Sequence, residues 1–326
     1  MRNRKSQRGA ALLAVLWLSA ILTAIAFSVA TTVRGETERT STLSEGVRGY
    51  YIATGALERA LAYIEWGPSH RNPDNTPRYF EPGMARLSFN FPAAIATVEL
   101  IPESSKFDIN AIMPDELFRL LVNLGAEPGR AQGIAAAIVD WRRPLPPNVL
   151  SPLDQQYLSG NPSFRARHAS VEETEELLLV KGMTPELYHG SYVRDVAGRL
   201  QPRAGLKDCV SVYGSAGPFD INSVQPAVLT TIGISPEVVT AIVQRRYATP
   251  FRNTNEIAEF ARFGGGPGFN RLTIGGNTIF TLRSTARLRV GEGRYSDMTR
   301  TVSGVYKFHK SGHTPWIEAL RWYDSN

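Results

Sequence analysis

Four polar side chains recur in a setting that could do chemistry. Phe107-Asp108-Ile109-Asn110 is followed by Pro114 and a leucine-bearing stretch, and Phe219-Asp220-Ile221-Asn222 is followed in the same way by Pro226. Side-chain oxygens of Asp and Asn accept from nearby backbone amides, which holds turns and caps helices. Asp108, Asn110, Asp220 and Asn222 therefore read as structural residues of a repeat, with Asn110 and Asn222 expected as helix caps. Other reactive types are dispersed. Cys209 is the only cysteine, which excludes an intrachain disulfide and a cysteine-cluster metal site. His309 and His313 flank Ser311-Gly312, where a regular helix is not expected, so the pair reads as a polar loop and not a metal site. Gly264-Gly265-Gly266-Pro267-Gly268 lacks the Lys-Ser/Thr of a phosphate loop and reads as a flexible connection. Glu172, Glu173, Glu175 and Glu176 crowd a helix start, where they favour the macrodipole on a solvated face. No catalytic constellation stands out, and the chain is not read as an enzyme.

The hydropathy pattern sets out the elements that must position these residues. Between Arg8 and Arg34 there is no charged side chain, and Leu12, Leu13, Val15, Leu16, Trp17, Leu18, Ile21, Leu22, Ile25 and Phe27 put apolar surface on every face. Such a helix belongs in lipid and is long enough to cross a hydrocarbon core of about 30 Å. Arg2, Arg4, Lys5 and Arg8 precede it without an acid, which predicts a cytoplasmic N-terminus and export of everything after Arg34. A cleavable secretory signal is the competing reading, with Ala24-Ile25-Ala26 as its cleavage site. Against it, helical spacing continues through Leu43, Val47, Tyr50, Tyr51, Leu57, Leu61 and Ile64 to a stop at Gly67-Pro68. Residues 68–82 read as a loop, and Met84 to Ile101 as a hairpin of two strands. Strand signals then give way for a long stretch to helix starts, with capping-box spacing at Ser170-Val171-Glu172-Glu173 and a hydroxyl before proline at Thr184-Pro185 and Ser235-Pro236. Alternation returns over Thr278 to Arg283, Ala286 to Val290 and Thr299 to His309, with a further strand expected from Trp316 to Trp322.

The junction Gln7-Arg8-Gly9-Ala10-Ala11-Leu12-Leu13-Ala14-Val15 resembles the type III signal of type IV pilins and type II secretion pseudopilins. The resemblance implies cleavage by a prepilin peptidase after Gly9, leaving Ala10 as the mature N-terminus. Most members carry glutamate as the fifth mature residue; here it is Ala14. A terminal ammonium buried among packed helices is costly unless paired, and in that family the glutamate of an entering subunit pairs with the amine of the one ahead. A subunit with nothing ahead of it needs no such carboxylate. That departure and the large size resemble the general secretion pathway protein K family, the minor pseudopilin at the filament tip.

The resemblance implies an α+β fold: a pilin-like long N-terminal helix packed on a small antiparallel sheet, with a large all-helical domain inserted between strands. Its divisions are a cytoplasmic leader over 1–9, the membrane half of the helix over 10–33, the first part of the pilin-like domain over 34–106, the inserted helical domain with both repeats over 107–265, and the returning strands over 266–326. Implied partners are other minor pseudopilins, the major pseudopilin, the prepilin peptidase and the inner membrane, with secreted cargo and the outer-membrane channel as further candidates. The bulk of the chain would then lie in the periplasm. No cofactor is implied except calcium, which some relatives bind in an acid-rich loop near the position of Asp154. Here the neighbourhood reads Arg142-Arg143-Pro144-Leu145-Pro146-Pro147, and few carboxylates are on hand for an ion that takes about six to eight oxygens.

Each repeat also resembles the helix-hairpin-helix module, which keeps open a second function, a membrane-anchored DNA receptor of the competence type. Such modules grip phosphates with backbone amides of a Gly-x-Gly turn. Here the turns read Leu124-Gly125-Ala126-Glu127-Pro128-Gly129 and Ile232-Gly233-Ile234-Ser235-Pro236, with an acid in the first, no second glycine in the latter, and prolines that lack an N–H. Net charge is +6, but four of those charges precede Ala10, which leaves little basicity for a phosphate polymer. No nucleic acid is therefore expected as a partner.

Overall fold

A computed structural model describes residues 7–67, 69–81, 83–146, 148–194, 198–264, 266–276, 278–291, 293–309 and 316–325. The chain opens on α1 (Gln7–Trp66), a helix of 60 residues and about 90 Å in length at 1.5 Å per residue. From Leu12 to Val33 its large apolar side chains are exposed, Trp17 at 69% and Phe27 at 71%, so this half needs lipid or other helices around it. Hydroxyls here bond back to the helix: Ser19 donates to the Leu16 carbonyl at 2.9 Å and Thr23 to the Ser19 carbonyl at 2.7 Å, which lowers the cost of placing them in hydrocarbon. The other half buries Ala53, Ala56, Leu57 and Ala60 completely. These small side chains at helical spacing bring α1 close to a sheet.

That sheet begins with the hairpin of β1 (Arg86–Phe91) and β2 (Ala94–Pro102). The chain then leaves it for an insertion. A 3-10 turn (Glu103–Ser105) leads to β3 (Phe107–Asp108), α2 (Pro114–Asn123), α3 (Pro128–Arg142) and α4 (Asp154–Leu158). A second 3-10 stretch (Thr174–Leu179), α5 (Pro185–His189), β4 (Gly190–Arg194), β5 (Leu200–Ala204), β6 (Val210–Ser211) and β7 (Phe219–Asp220) follow. α6 (Pro226–Thr231), α7 (Pro236–Ala248), α8 (Thr254–Gly264) and β8 (Leu272–Thr273) complete it. β9 (Ile279–Gly291), β10 (Arg294–His309) and β11 (Trp316–Ser325) return to the sheet, whose order is β1-β2-β9-β10-β11 with antiparallel pairing throughout.

Two cores result. Leu87, Phe89, Val98, Leu100, Leu282, Val302 and Tyr306 pack against the buried face of α1, while the insertion is built around Phe107, Leu117, Leu121, Ile138, Phe219, Leu229 and Ile242. β2 pairs with β9 from Ala94 opposite Leu288 to Pro102 opposite Phe280, and a cleft of about 280 Å³ brings Pro102 and Phe280 together with Ile64 and Glu65 at the C-terminal end of α1. The insertion therefore leaves the sheet at the end farthest from the apolar half of α1. It also folds over the face of the sheet opposite α1, where Arg321 pairs with Glu173 at 2.7 Å and a polar cleft of about 570 Å³ remains between Thr301 and Ser303 on one wall and Lys207 and Asp208 on the other.

Several expectations are corrected. The insertion is mainly helical but not all-helical: β4 and β5 form a hairpin, and β3 and β7 pair in parallel with β6 and β8. Ser170 does not start a helix; the cap is Glu173, and its capping box with Glu176 opens a 3-10 stretch instead. Residues 267–273 do not join the returning sheet, because Phe269 and Leu272 are buried in the insertion core. Gly268 in the glycine-rich stretch is buried there as well.

Candidate functional site

Asn110 and Asn222 were expected to cap α2 and α6, yet the cap positions are Met113 and Gln225, where proline follows and no side chain bonds. Each Asn instead holds a distant strand of backbone by two bonds. Asn110 accepts from the Val171 N–H at 2.7 Å and donates to the Val171 carbonyl at 3.0 Å. Asn222 does the same with Phe251, at 2.8 and 2.9 Å. An amide side chain pairs with the N–H and C=O of a single residue in this way because it carries a donor and an acceptor side by side. The turn that presents each Asn is held by the aspartate two residues earlier: Asp108 accepts from the Asn110 N–H at 2.8 Å and Asp220 from the Asn222 N–H at 3.3 Å.

A residue type that sequence reasoning missed completes each copy. Arg142, at the end of α3, donates to the carbonyls of Ile109 and Ile112, and Arg246 of α7 donates to those of Ile221 and Val224 at 3.0 and 2.7 Å. Burial pulls both guanidinium groups below their ordinary value, against the pull of Asp108 and Asp220 respectively. Burial also pushes the Asp220 carboxyl above the usual range, although Ser223 and the Gly275 and Asn222 amides oppose it. The signal was present in the repeat itself, since Ile138-Val139 to Arg142 and Ile242-Val243 to Arg246 keep one spacing.

The two copies meet face to face. The rings of Phe107 and Phe219 lie 5.0 Å apart at 72°, Asn123 donates to Thr231 at 3.0 Å, and Arg271 lies over both phenylalanine rings. Both helix-to-helix turns use a glycine in the left-handed region, Gly125 at φ +93° and Gly233 at +97°, and both close with a bond back to the first helix. In the first copy the amides that would grip a phosphate are taken. Glu127 accepts from the Gly129 and Arg130 N–H groups, both at 3.0 Å, which holds its carboxyl below the usual range.

At the N-terminus Gly9, Ala10 and Ala14 lie within α1, and Ala10 and Ala14 are exposed. Of the histidine pair, His309 bonds Glu318 at 2.9 Å and stacks on Trp316, while His313 lies outside the described residues. Of the four clustered glutamates, Glu176 departs most from a solvated face: it accepts from the Glu172 and Glu173 amides and from the Trp141 ring N–H. The donor set around Asp154 does not fit calcium. Asp154 is fully buried, and its oxygens accept from the Ser151 N–H at 2.9 Å, the Ala166 N–H at 3.3 Å and His168 at 2.8 Å, with Arg165 at 3.8 Å. Hydrogen-bond donors and the Arg165 guanidinium ring the carboxylate where a metal would need more oxygens. Among the described residues no group of three His, Cys, Asp or Glu side chains could hold a metal ion.

Comparison with known proteins gives one direction. Residues 103–190 match the model of the first domain of type II secretion system protein K. The chain is similar to type II secretion system protein K of Klebsiella pneumoniae, 28% identical over 200 residues, covering 56% of this chain and 60% of that protein. It is also similar to the protein of that name from Pectobacterium carotovorum subsp. carotovorum, 29% identical over 207 residues, covering 58% of this chain and 61% of that one. The matched part thus spans about 60% of the length of these relatives. In fold, 88% of this chain superposes on 99% of a chain in the crystal structure of the GspK-GspI-GspJ complex from the enterotoxigenic Escherichia coli type 2 secretion system, with a TM-score of 0.53 at 17% identity. In sequence, then, the chain is similar to type II secretion system protein K, and its long apolar N-terminal helix, antiparallel sheet and insertion give it the fold of a chain in the GspK-GspI-GspJ complex.

Proposed function

We propose that this chain is the minor pseudopilin at the tip of the type II secretion pseudopilus, where it starts and caps filament assembly for protein export across the outer membrane. The observation that carries the proposal is the position of the insertion at the far end of α1 from its apolar half. A subunit stacked above would meet that bulk and not an open helix bundle. Ala14 supports the same placement, because a leading subunit has no terminal amine ahead of it to neutralise. The precursor is cut between Gly9 and Ala10 by a prepilin peptidase, and the exposed apolar half of α1 anchors the chain in the inner membrane with the rest in the periplasm. Since the structure it resembles was solved as a complex with GspI and GspJ, counterparts of those two are its proposed companions, below which the major pseudopilin follows.

Three measurements test this reading. The N-terminal peptide recovered from the native membrane should begin at Ala10, and a start at Met1 or Arg2 would remove the pseudopilin assignment. Site-specific labelling should place the chain at one filament end, and Ala14→Glu should impair assembly and secretion. Normal secretion by that variant, with wild-type label found along the shaft, would overturn the capping role.

A further inference from the structure

We propose that His168 and Asp154 form a proton-dependent latch that holds the loops flanking α4 against the end of α3, so that this region is fixed by a proton and needs no metal ion. Both partners are buried, with side-chain exposures of 6% and 0%. The His168 ring bridges two acceptors: one nitrogen lies 2.8 Å from the Asp154 carboxylate and the other 3.1 Å from the Asp140 carbonyl. A neutral imidazole has a single N–H, so only the imidazolium can donate to both. His168 also sits at φ +50°, a left-handed conformation that a non-glycine residue keeps only when its surroundings hold it there.

The latch ties separate pieces of chain together. Asp154 opens α4 and accepts from the amides of Ser151 before it and Ala166 beyond it. The Ser151 hydroxyl in turn donates to the Asp140 carboxylate at 2.7 Å. The other charged or titratable groups facing the pair are Asp140 on α3, Arg165 at 3.8 Å from Asp154, and Tyr157 on α4, whose hydroxyl accepts from the Lys181 N–H. Burial raises the Asp154 carboxyl, but the Ser151 amide and His168 outweigh it, and the net shift is downward. Above the ordinary carboxylate range the acceptor is therefore always present, and the donor side decides whether the latch is closed.

The Ser151 and Ala166 amides, which donate to Asp154 itself, are the reporters. In the full chain in detergent, hydrogen exchange at these two amides is measured from about pH 5.5 to 8.5, after correction for intrinsic rates, with EDTA and with added calcium. Protection should fall roughly tenfold or more toward the alkaline end, without response to EDTA or calcium. His168→Gln should show low protection that no longer varies with pH. Unchanging protection in the wild type would overturn the latch, as would protection that EDTA removes and calcium restores. A loss shared by the β9 amides would mark global unfolding and would overturn it equally.

Discussion

At the scale of single residues, the two asparagine latches differ in depth, and that difference sets their cost. Asn222 is 7% exposed and Phe251 1%, so Asn222→Ala leaves a peptide N–H and carbonyl unpaired where water does not reach. The expected loss is about 2–4 kcal/mol in denaturant unfolding. Asn110 is half-buried, and Asn110→Ala should cost less because water can replace part of the pair. Asp220 makes the opposite prediction. Its carboxyl is held above the usual range by burial, so it contributes most to stability below its unfolded value and that contribution is lost as pH rises through the folded one. Asn keeps an oxygen for the Gly275 and Asn222 amides and offers an N–H to the Ser223 hydroxyl. Asp220→Asn should therefore be within about 1 kcal/mol of the wild type or more stable at neutral pH, with any gain vanishing as pH falls toward about 4. Chemical denaturation across that range measures it, and a large loss at pH 7 would show that the charge itself is required.

At the scale of elements, the arginines that clamp each repeat predict an asymmetry. Arg246 reaches both carbonyls with a single nitrogen, whereas Arg142 uses two, one for Ile109 and one for Ile112. Lysine can replace one nitrogen but not a fork. Arg142→Lys should then cost more of its clamp than Arg246→Lys, while Arg246→Met, which strands two carbonyls of fully buried residues, should cost about 2–4 kcal/mol. The elements themselves were legible wherever local pattern decides: α1 from unbroken helical spacing, β1 and β2 from alternation, α5 and α7 from the residues before Pro185 and Pro236. The repeat was legible as a repeat. What its polar residues bond was not, because Val171 lies 61 residues beyond Asn110 and Phe251 lies 29 beyond Asn222, and no local spacing encodes a partner at that distance. β4 and β5 escaped notice for a related reason: Tyr192 and Leu200 are 72% and 60% exposed, so no burial imposes alternation on them. The two-residue strands β3, β6, β7 and β8 carry too few side chains for any period to register.

At the scale of the molecule, two cores share one chain, and their junction decides whether they unfold together. Removing residues 1–34 should leave the midpoint of thermal unfolding unchanged within a few degrees, since residues 10–34 of α1 are all exposed. A large drop in midpoint would mean that the apolar half stabilises the rest of the chain. The junction is different. Glu103, 3% exposed, is bound by Lys106 at 2.8 Å and by the Thr281 hydroxyl of β9 at 2.6 Å, and beside it Ser105 bonds Ser223 at 2.8 Å and Ser215 bonds the Ser104 carbonyl at 3.0 Å. Burial works to raise the Glu103 carboxyl, but Lys106 and the hydroxyl donors prevail and it stays below the usual range. A group lowered in this way stabilises the fold above its unfolded value, and the contribution is lost as pH falls through the folded one. Glu103→Gln should cost about 1–3 kcal/mol at neutral pH, with the difference from wild type narrowing toward acid. Because this cluster and the more exposed Arg321–Glu173 pair span the boundary between the cores, Glu103→Gln combined with Arg321→Ala should split one calorimetric transition into two. A single transition in the double variant would mean that apolar contact across the boundary is enough to make the insertion and the sheet one cooperative unit.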